Sequence, residues 1–234
     1  MKQIAVYYNA TERQQYGGEL RNDVELFRDM LKPFMAEFEF VLIDPVQGEL
    51  PDDPLQYDGV IFSGSAAMVD DDLPWINKVK DHILRLDAAK KKMVGICFGH
   101  QLIAATLGGT IEERPLTLGV PHLEVLAPQK WMHPYLPSLK LYAGNFQQVT
   151  KVPVGMKRVA MGRGNPNAML VKDDHIMSLQ FHPEFPAHFM EGYADECLSK
   201  HVIDAHGHQE AKKEIHGGTN ADIMAKWIAH FFKD

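Results

Sequence analysis

The chain has 234 residues, of which 45% are hydrophobic and 24% charged, and its formal net charge is -7. This balance suits a soluble globular protein with a sizeable core, and the scattered lysines and arginines exclude a basic footprint for nucleic acid or an anionic membrane. Two cysteines, Cys97 and Cys197, are too few for a disulfide framework and fit a reducing, cytoplasmic setting, while no segment has the length of a membrane span.

From Met1 the sequence runs directly into a strand-like segment, without the apolar stretch and small-residue cleavage site of a signal peptide. Short apolar runs at Ile4 to Tyr8, Phe38 to Ile43, Gly59 to Ser63 and Met93 to Ile96 read as buried parallel strands. Helical spacing of apolar residues lies between them, at Asn22 to Phe34 and Trp75 to Leu86. Strands alternating with helices predict an α/β fold with a mostly parallel sheet and flanking helices. After Thr110 the chain becomes strand-rich and more antiparallel, with candidates at Thr110 to Glu113, His122 to Leu126, Leu139 to Tyr142, Ala168 to Val171 and Ile176 to Phe181. A helical pattern at Pro186 to Ile203, a polar connection bearing glycine and histidine, and a last amphipathic helix at Asn220 to Phe232 complete it. Length alone admits one domain or two; without an internal repeat or a long linker, residues 1–234 read as one.

Gly95-Ile96-Cys97-Phe98-Gly99 sits between a buried strand and the helical run that stops at Gly108-Gly109. Glycines two before and two after the cysteine permit a sharp strand-to-helix turn, a nucleophile elbow that holds the thiol at the carboxyl end of the sheet and at a helix N-terminus. The helix dipole there favours thiolate over thiol, and the Phe98 amide can face a developing oxyanion. By itself this pentapeptide also fits a small buried core cysteine. Phe181-His182-Pro183-Glu184-Phe185 adds the rest of a catalytic set, because a nucleophilic thiol needs a base and the base needs a third group to orient it.

Gly95-Ile96-Cys97-Phe98-Gly99-His100-Gln101 and Phe181-His182-Pro183-Glu184-Phe185 resemble the two signature motifs of class I glutamine amidotransferases. Phe62-Ser63-Gly64-Ser65, with Val69 and the segment Asp71 to Ile76, resembles the oxyanion loop of stand-alone, GMP-synthetase-like members. The resemblance implies a flavodoxin-like core, with Cys97 as nucleophile, His182 as acid and base, and Glu184 as the orienting carboxylate. It further implies the amides of Gly64 and Phe98 as oxyanion hole, and Gln101, Ser65 and Asn145 as substrate-binding residues. One segment departs from the family: where many members have a Ser-His-x-Asp-x-Val pattern, this chain reads Gly144-Asn145-Phe146-Gln147-Gln148-Val149. The change falls near the amino-acid end of the substrate, so γ-glutamyl compounds other than glutamine become candidates.

The leading expectation is a cysteine hydrolase that releases ammonia from glutamine through a thioester on Cys97, with any acceptor site on a separate synthase subunit. The alternatives are a free-standing γ-glutamyl peptide or conjugate hydrolase and a non-catalytic module of the same fold. No cofactor and no metal is expected. Asp70-Asp71-Asp72 is better explained as cap and first-turn charge of the following helix than as a metal site. His201, His206, His208 and His216 read as part of a solvated connection rather than a zinc site, Gly162-Arg163-Gly164 falls short of a dinucleotide fingerprint, and Cys197 reads as incidental.

Overall fold

The computed structural model describes residues 2–10, 15–16, 19–20 and 23–234. Met1 and Asn22, the latter the expected start of the first helix, lie outside the described residues. In chain order the elements are β1 (Lys2–Tyr7), β2 (Gln15–Tyr16), β3 (Glu19–Leu20), α1 (Asp23–Leu31), β4 (Phe38–Ile43), a 3-10 turn (Pro54–Gln56), β5 (Gly59–Phe62), α2 (Pro74–Ala88), β6 (Lys92–Ile96) and α3 (Phe98–Thr106). There follow β7 (Thr110–Gly119), β8 (His122–Val125), β9 (Ser138–Lys140), β10 (Ala143–Lys151), β11 (Lys157–Gly162), β12 (Asn165–Lys172), β13 (Ile176–Leu179), α4 (Ala187–Ser199), α5 (Ala205–His216) and α6 (Ala221–Lys233).

Nine strands form the main sheet in the order β4-β1-β5-β6-β13-β12-β11-β8-β9. The five from β4 to β13 run parallel, and the remaining four continue antiparallel. Successive residues of the parallel strands are buried on opposite faces, which is why these strands read as continuous apolar runs. Ile4 and Val6 pack with Phe27, Leu31, Trp227 and Ile228 on one side, while Ala5 and Tyr7 pack with Ile76, Val79 and Leu102 on the other. No helix among the described residues is long and apolar enough to cross a membrane.

Four strands were not foreseen: the two-residue β2 and β3, and the longer β10 and β11. β10 and β11 lack an alternating apolar pattern, and in β10 the buried positions include Asn145, Gln147 and Gln148. β10 pairs with β7 as a separate two-stranded ribbon with a shift of register between Asn145 and Gln147, an irregularity of the kind that re-aims side chains beside sites.

The polar connection expected after Ile203 is instead α5. Asp204 caps it, its Oδ1 accepting from the Gly207 amide at 2.7 Å, and Ala211 and Ile215, one turn apart, are buried against Met190 and Ala194 of α4. His208 and Lys212 reach Asp195 of α4 at 2.6 and 2.7 Å. The expected capping role of Asp70-Asp71-Asp72 does not hold either. Extended Leu73 is the N-cap of α2 and Pro74 its first residue, so the carboxylates fall too early to reach the first-turn amides. Asp71 instead accepts from the Met68 amide at 2.8 Å, and Asp70 from Gln147 Nε2 at 3.1 Å.

The link from β6 into α3 is the tightest point of the packing. A Cβ on Gly99 would lie 2.2 Å from the Phe62 carbonyl oxygen, and one on Gly95 would lie 2.6 Å from the Gly99 carbonyl oxygen. Both neighbours are main chain and cannot step aside. Gly99→Ala is expected to destabilise the protein by about 1–3 kcal/mol through overpacking. Urea unfolding measures this, and a change within about 0.5 kcal/mol, the size of an ordinary surface substitution, would show that the approach relaxes at little cost.

Candidate active site

β6 and β13 are parallel neighbours in which Ile96 pairs with Leu179, so both strands release their chains at the same edge of the sheet. That adjacency carries Cys97, the residue after β6, to the same place as Gln180, Phe181 and His182, which follow β13. The Cys97 amide donates to Leu179 O at 2.9 Å. Cys97 has φ 52° and ψ -105°, a left-handed φ that a side-chain-bearing residue adopts only under constraint. The strain sits at the strand-to-helix turn that presents the buried Cys97 side chain to a cavity.

His182 is held from three directions. Its amide donates to Tyr142 O at 2.8 Å, its Nδ1 lies 2.6 Å from Glu184 Oε1, and its ring stacks on Phe185 with centroids 4.2 Å apart. Both His182 and Glu184 are buried. Burial pulls the imidazole down, but the neighbouring Glu184 carboxylate, bonded to Nδ1, and the Cys97 sulfur beside it outweigh burial and hold it well above its usual range. Gly64, in the loop that leaves β5, closes the group from a third strand: a Cβ there would lie 3.1 Å from His182 Cε1 and 3.7 Å from Cys97 Cβ. Phe98 opens α3, where first-turn amides have no partner within the helix.

Gly64, Cys97, His182 and Phe185 line a cavity of about 160 Å³. Its wall is largely apolar, with Met68 and the alanines of the Gly64 loop on one side and Phe185, Phe189 and Met190 on the other. The only ionisable side chains among the described lining residues are those of Cys97, His182 and Tyr193.

The expected substrate-binding residues reach the cavity in different conditions. The Ser65 hydroxyl donates to Asn9 O at 2.7 Å and accepts from the Ala67 amide at 3.0 Å, so it braces its own loop. Gln101 Nε2 donates to Gln147 O at 2.7 Å and Gln180 Oε1 at 3.2 Å. Asn145 Nδ2 donates to Gln147 O at 3.1 Å, and its buried Oδ1 has no partner among the described residues. Within the segment Gly144 to Val149, the glycine is packed against a ring. A Cβ on Gly144 would lie 2.7 Å from Tyr193 Cε1, so the Tyr193 ring occupies the space that a serine side chain would need.

Gln180 and Gln147 were not singled out in the sequence, although Gln180 stands two residues before His182. Gln180 Nε2 lies 3.6 Å from Cys97 Sγ. Cys197 is buried and away from the cavity lining, and burial pushes its thiol up. Gly162-Arg163-Gly164 turns β11 into β12 as a hairpin. No group of three or more His, Cys, Asp or Glu among the described residues is placed to hold a metal ion.

A cysteine strained at the end of a parallel strand, beside a buried His-Glu pair, is the set of groups that thiol-dependent acyl transfer requires. The chain belongs to the class-I glutamine amidotransferase family, whose model matches residues 24–192. It is 31% identical over 163 residues to γ-glutamyl peptidase 4 of Arabidopsis thaliana, an alignment covering 66% of this chain and 65% of that protein. The chain therefore spans just under two thirds of that relative. It is 30% identical over 132 residues to a subunit of the glutamine-hydrolyzing GMP synthase of Sulfolobus acidocaldarius, with 55% of this chain and 68% of that one covered. In structure it is similar to a glutamine amidotransferase of Thermotoga maritima, with a TM-score of 0.77 at 17% identity, covering 100% of this chain and 99% of that one.

The raised His182 value sets a sign for stability against pH. A folded-state value above the ordinary 6.5 means that the Glu184 contact stabilises fully below about pH 6.5 and that this contribution is lost as pH rises through the folded value. Glu184→Gln leaves only burial and Cys97 acting on the imidazole. The variant is expected to be less stable than wild type by about 3–5 kcal/mol near pH 6, with a smaller difference in alkaline buffer. Urea titrations at several pH values test it; a difference independent of pH would mean that no charged pair forms.

Proposed function

We propose that the chain is a cysteine hydrolase acting on the γ-carbonyl of γ-glutamyl amides, with γ-glutamyl peptides or conjugates as substrates in preference to free glutamine. The observation that carries the chemistry is the meeting of Cys97, His182 and Glu184 at one edge of the sheet. Cys97 Sγ, as thiolate beside the His182 imidazolium, adds to the γ-carbonyl carbon, and the oxyanion is received by the amides of Gly64 and Phe98. Collapse breaks the C–N bond while His182 gives its proton to the departing amine. His182 then takes a proton from water, which attacks the thioester and releases a γ-carboxylate and the thiol. Glu184 holds the imidazole in the tautomer this requires, with Nε2 free to exchange the proton.

The preference for conjugates is supported by the apolar wall of Met68, Phe185, Phe189 and Met190, since ammonia as leaving group has no use for it. The likeness to a γ-glutamyl peptidase supports the same reading. A second reading is motivated by the likeness to GMP synthase subunits: release of ammonia from glutamine to a synthase on a separate chain. Asn145, with its unpartnered buried oxygen, and Gln101 remain proposed contacts to the glutamyl part.

Cys97→Ser is expected to lower kcat by about three orders of magnitude or more, as for other nucleophile removals. Steady-state kinetics should give kcat/KM for a γ-glutamyl dipeptide at least about tenfold above that for glutamine, a difference of about 1.4 kcal/mol in transition-state binding. A preference for glutamine would overturn the substrate assignment in favour of ammonia release, and retained turnover in Cys97→Ser would overturn the thiol mechanism.

A further inference from the structure

Two buried amide side chains, Gln101 and Gln180, link the main-chain carbonyl of Gln147 to the Cys97 sulfur, and their orientation can be deduced from that carbonyl. Gln147 O is a main-chain carbonyl and can only accept, so the Gln101 atom 2.7 Å from it is the amide nitrogen, Nε2. The same nitrogen, with its second proton, lies 3.2 Å from the Gln180 side chain, which must therefore present its oxygen there. With Oε1 so committed, Gln180 turns Nε2 toward Cys97 Sγ, at 3.6 Å. Neither amide can flip without setting two nitrogens, or two oxygens, against each other.

The anchor is itself fixed. Gln147 Oε1 accepts from the Val69 amide at 3.3 Å and Gln147 Nε2 donates to Asp70 Oδ1 at 3.1 Å, which ties the strand carrying the anchoring carbonyl to the loop that follows Gly64. Asn145 Nδ2 donates to the same carbonyl at 3.1 Å. Gln180 is fully buried and its own amide donates to Ala168 O at 2.8 Å, so its backbone is fixed by the sheet. Burying a primary amide is costly unless its polar atoms are paired. Here the pairing is complete only with the sulfur as an acceptor, a role that a thiolate fills far better than a thiol.

We infer that Gln180 is a catalytic residue that donates a hydrogen bond from Nε2 to the Cys97 thiolate, and that Gln101 is a positioning residue that fixes which end of Gln180 faces the sulfur. This reading rests on Cys97 being the nucleophile proposed above. It assigns Gln101 a task apart from contact with substrate. It also gives the thiolate a partner besides His182, both before the sulfur attacks and again when the thioester breaks down and the sulfur departs as the anion.

The test is the pH dependence of Cys97 alkylation by iodoacetamide, read by mass spectrometry, in wild type, Gln180→Met and Gln101→Met, with thermal unfolding to verify that each is folded. Methionine keeps the length of the side chain and removes the amide. Gln180→Met is expected to shift the alkylation midpoint upward by about one pH unit, leaving about tenfold less thiolate at a given pH below it, and to lower kcat by a similar factor with little change in KM. Gln101→Met should move the midpoint the same way by a smaller amount. A folded Gln180→Met protein with an unchanged midpoint would overturn the inference, as would a Gln101→Met effect confined to KM. Because alkylation reports on the thiol without any substrate, a wrong substrate assignment leaves the result standing, whereas turnover by Cys97→Ser would identify failure of the nucleophile reading itself.

Discussion

Close approach of main chain to main chain at Gly95 and Gly99 is the constraint on which the site depends. With no side chain at either position, α3 can begin immediately against β5 and β6, the Gly99 amide donating to Ser63 O at 3.1 Å. The compression forces Cys97 into its left-handed φ, which no residue other than glycine adopts at small cost. The cost is borne by the surrounding parallel strands, whose side chains are buried on both faces of the sheet. The strained turn is thus maintained by packing well away from the sulfur.

Parallel pairing then decides what the cysteine meets. In a parallel sheet the carboxyl ends of neighbouring strands share one edge, which is where residues from distant parts of a chain can converge. β5 delivers Gly64, β6 delivers Cys97, and β13 delivers Gln180 and His182. The antiparallel half of the sheet and the β7–β10 ribbon serve a different purpose. The ribbon brings Asn145 and Gln147 to the cavity wall, where the Gln147 carbonyl accepts from the Asn145 and Gln101 side chains and the Gln147 side chain donates to Asp70.

Electrostatically the site is nearly closed on itself. Glu184 beside His182 holds the imidazole well above its usual range against the pull of burial, and the cavity lining around it is largely apolar. A buried ion pair in such surroundings gains little net stability over a hydrophobic replacement but is costly to break from one side. That asymmetry fits a site in which the charges are kept for reaction rather than for folding. A second buried imidazole shows the contrast: His100, wholly enclosed on α3 with no carboxylate beside it, is pushed down to about 3 by burial and so stays neutral next to Ser178.

Much of this was readable in the amino-acid sequence because it obeys local rules. The buried parallel strands announce themselves as short apolar runs, the Gly-x-Cys-x-Gly pattern has few backbone solutions between a strand and a helix, and a histidine two residues from a glutamate at a strand end can bond to it locally. What stayed hidden depends on partners distant in sequence. β10 did not read as a strand because its buried residues include Asn145, Gln147 and Gln148, whose segment is tied down by Gln101 and Asp70 from distant parts of the chain. α5 did not read as a helix because its apolar contact is confined to Ala211 and Ile215, and its histidines and lysines find their carboxylate on α4. Asp70 and Asp71 left the expected cap because other donors lay nearer. Gln180 was invisible for the same reason: hydrogen bonding between side chains has no period along the chain. Local sequence chemistry determines the buried parallel strands and the turn that follows β6, whereas only the tertiary structure decides which buried polar groups satisfy one another.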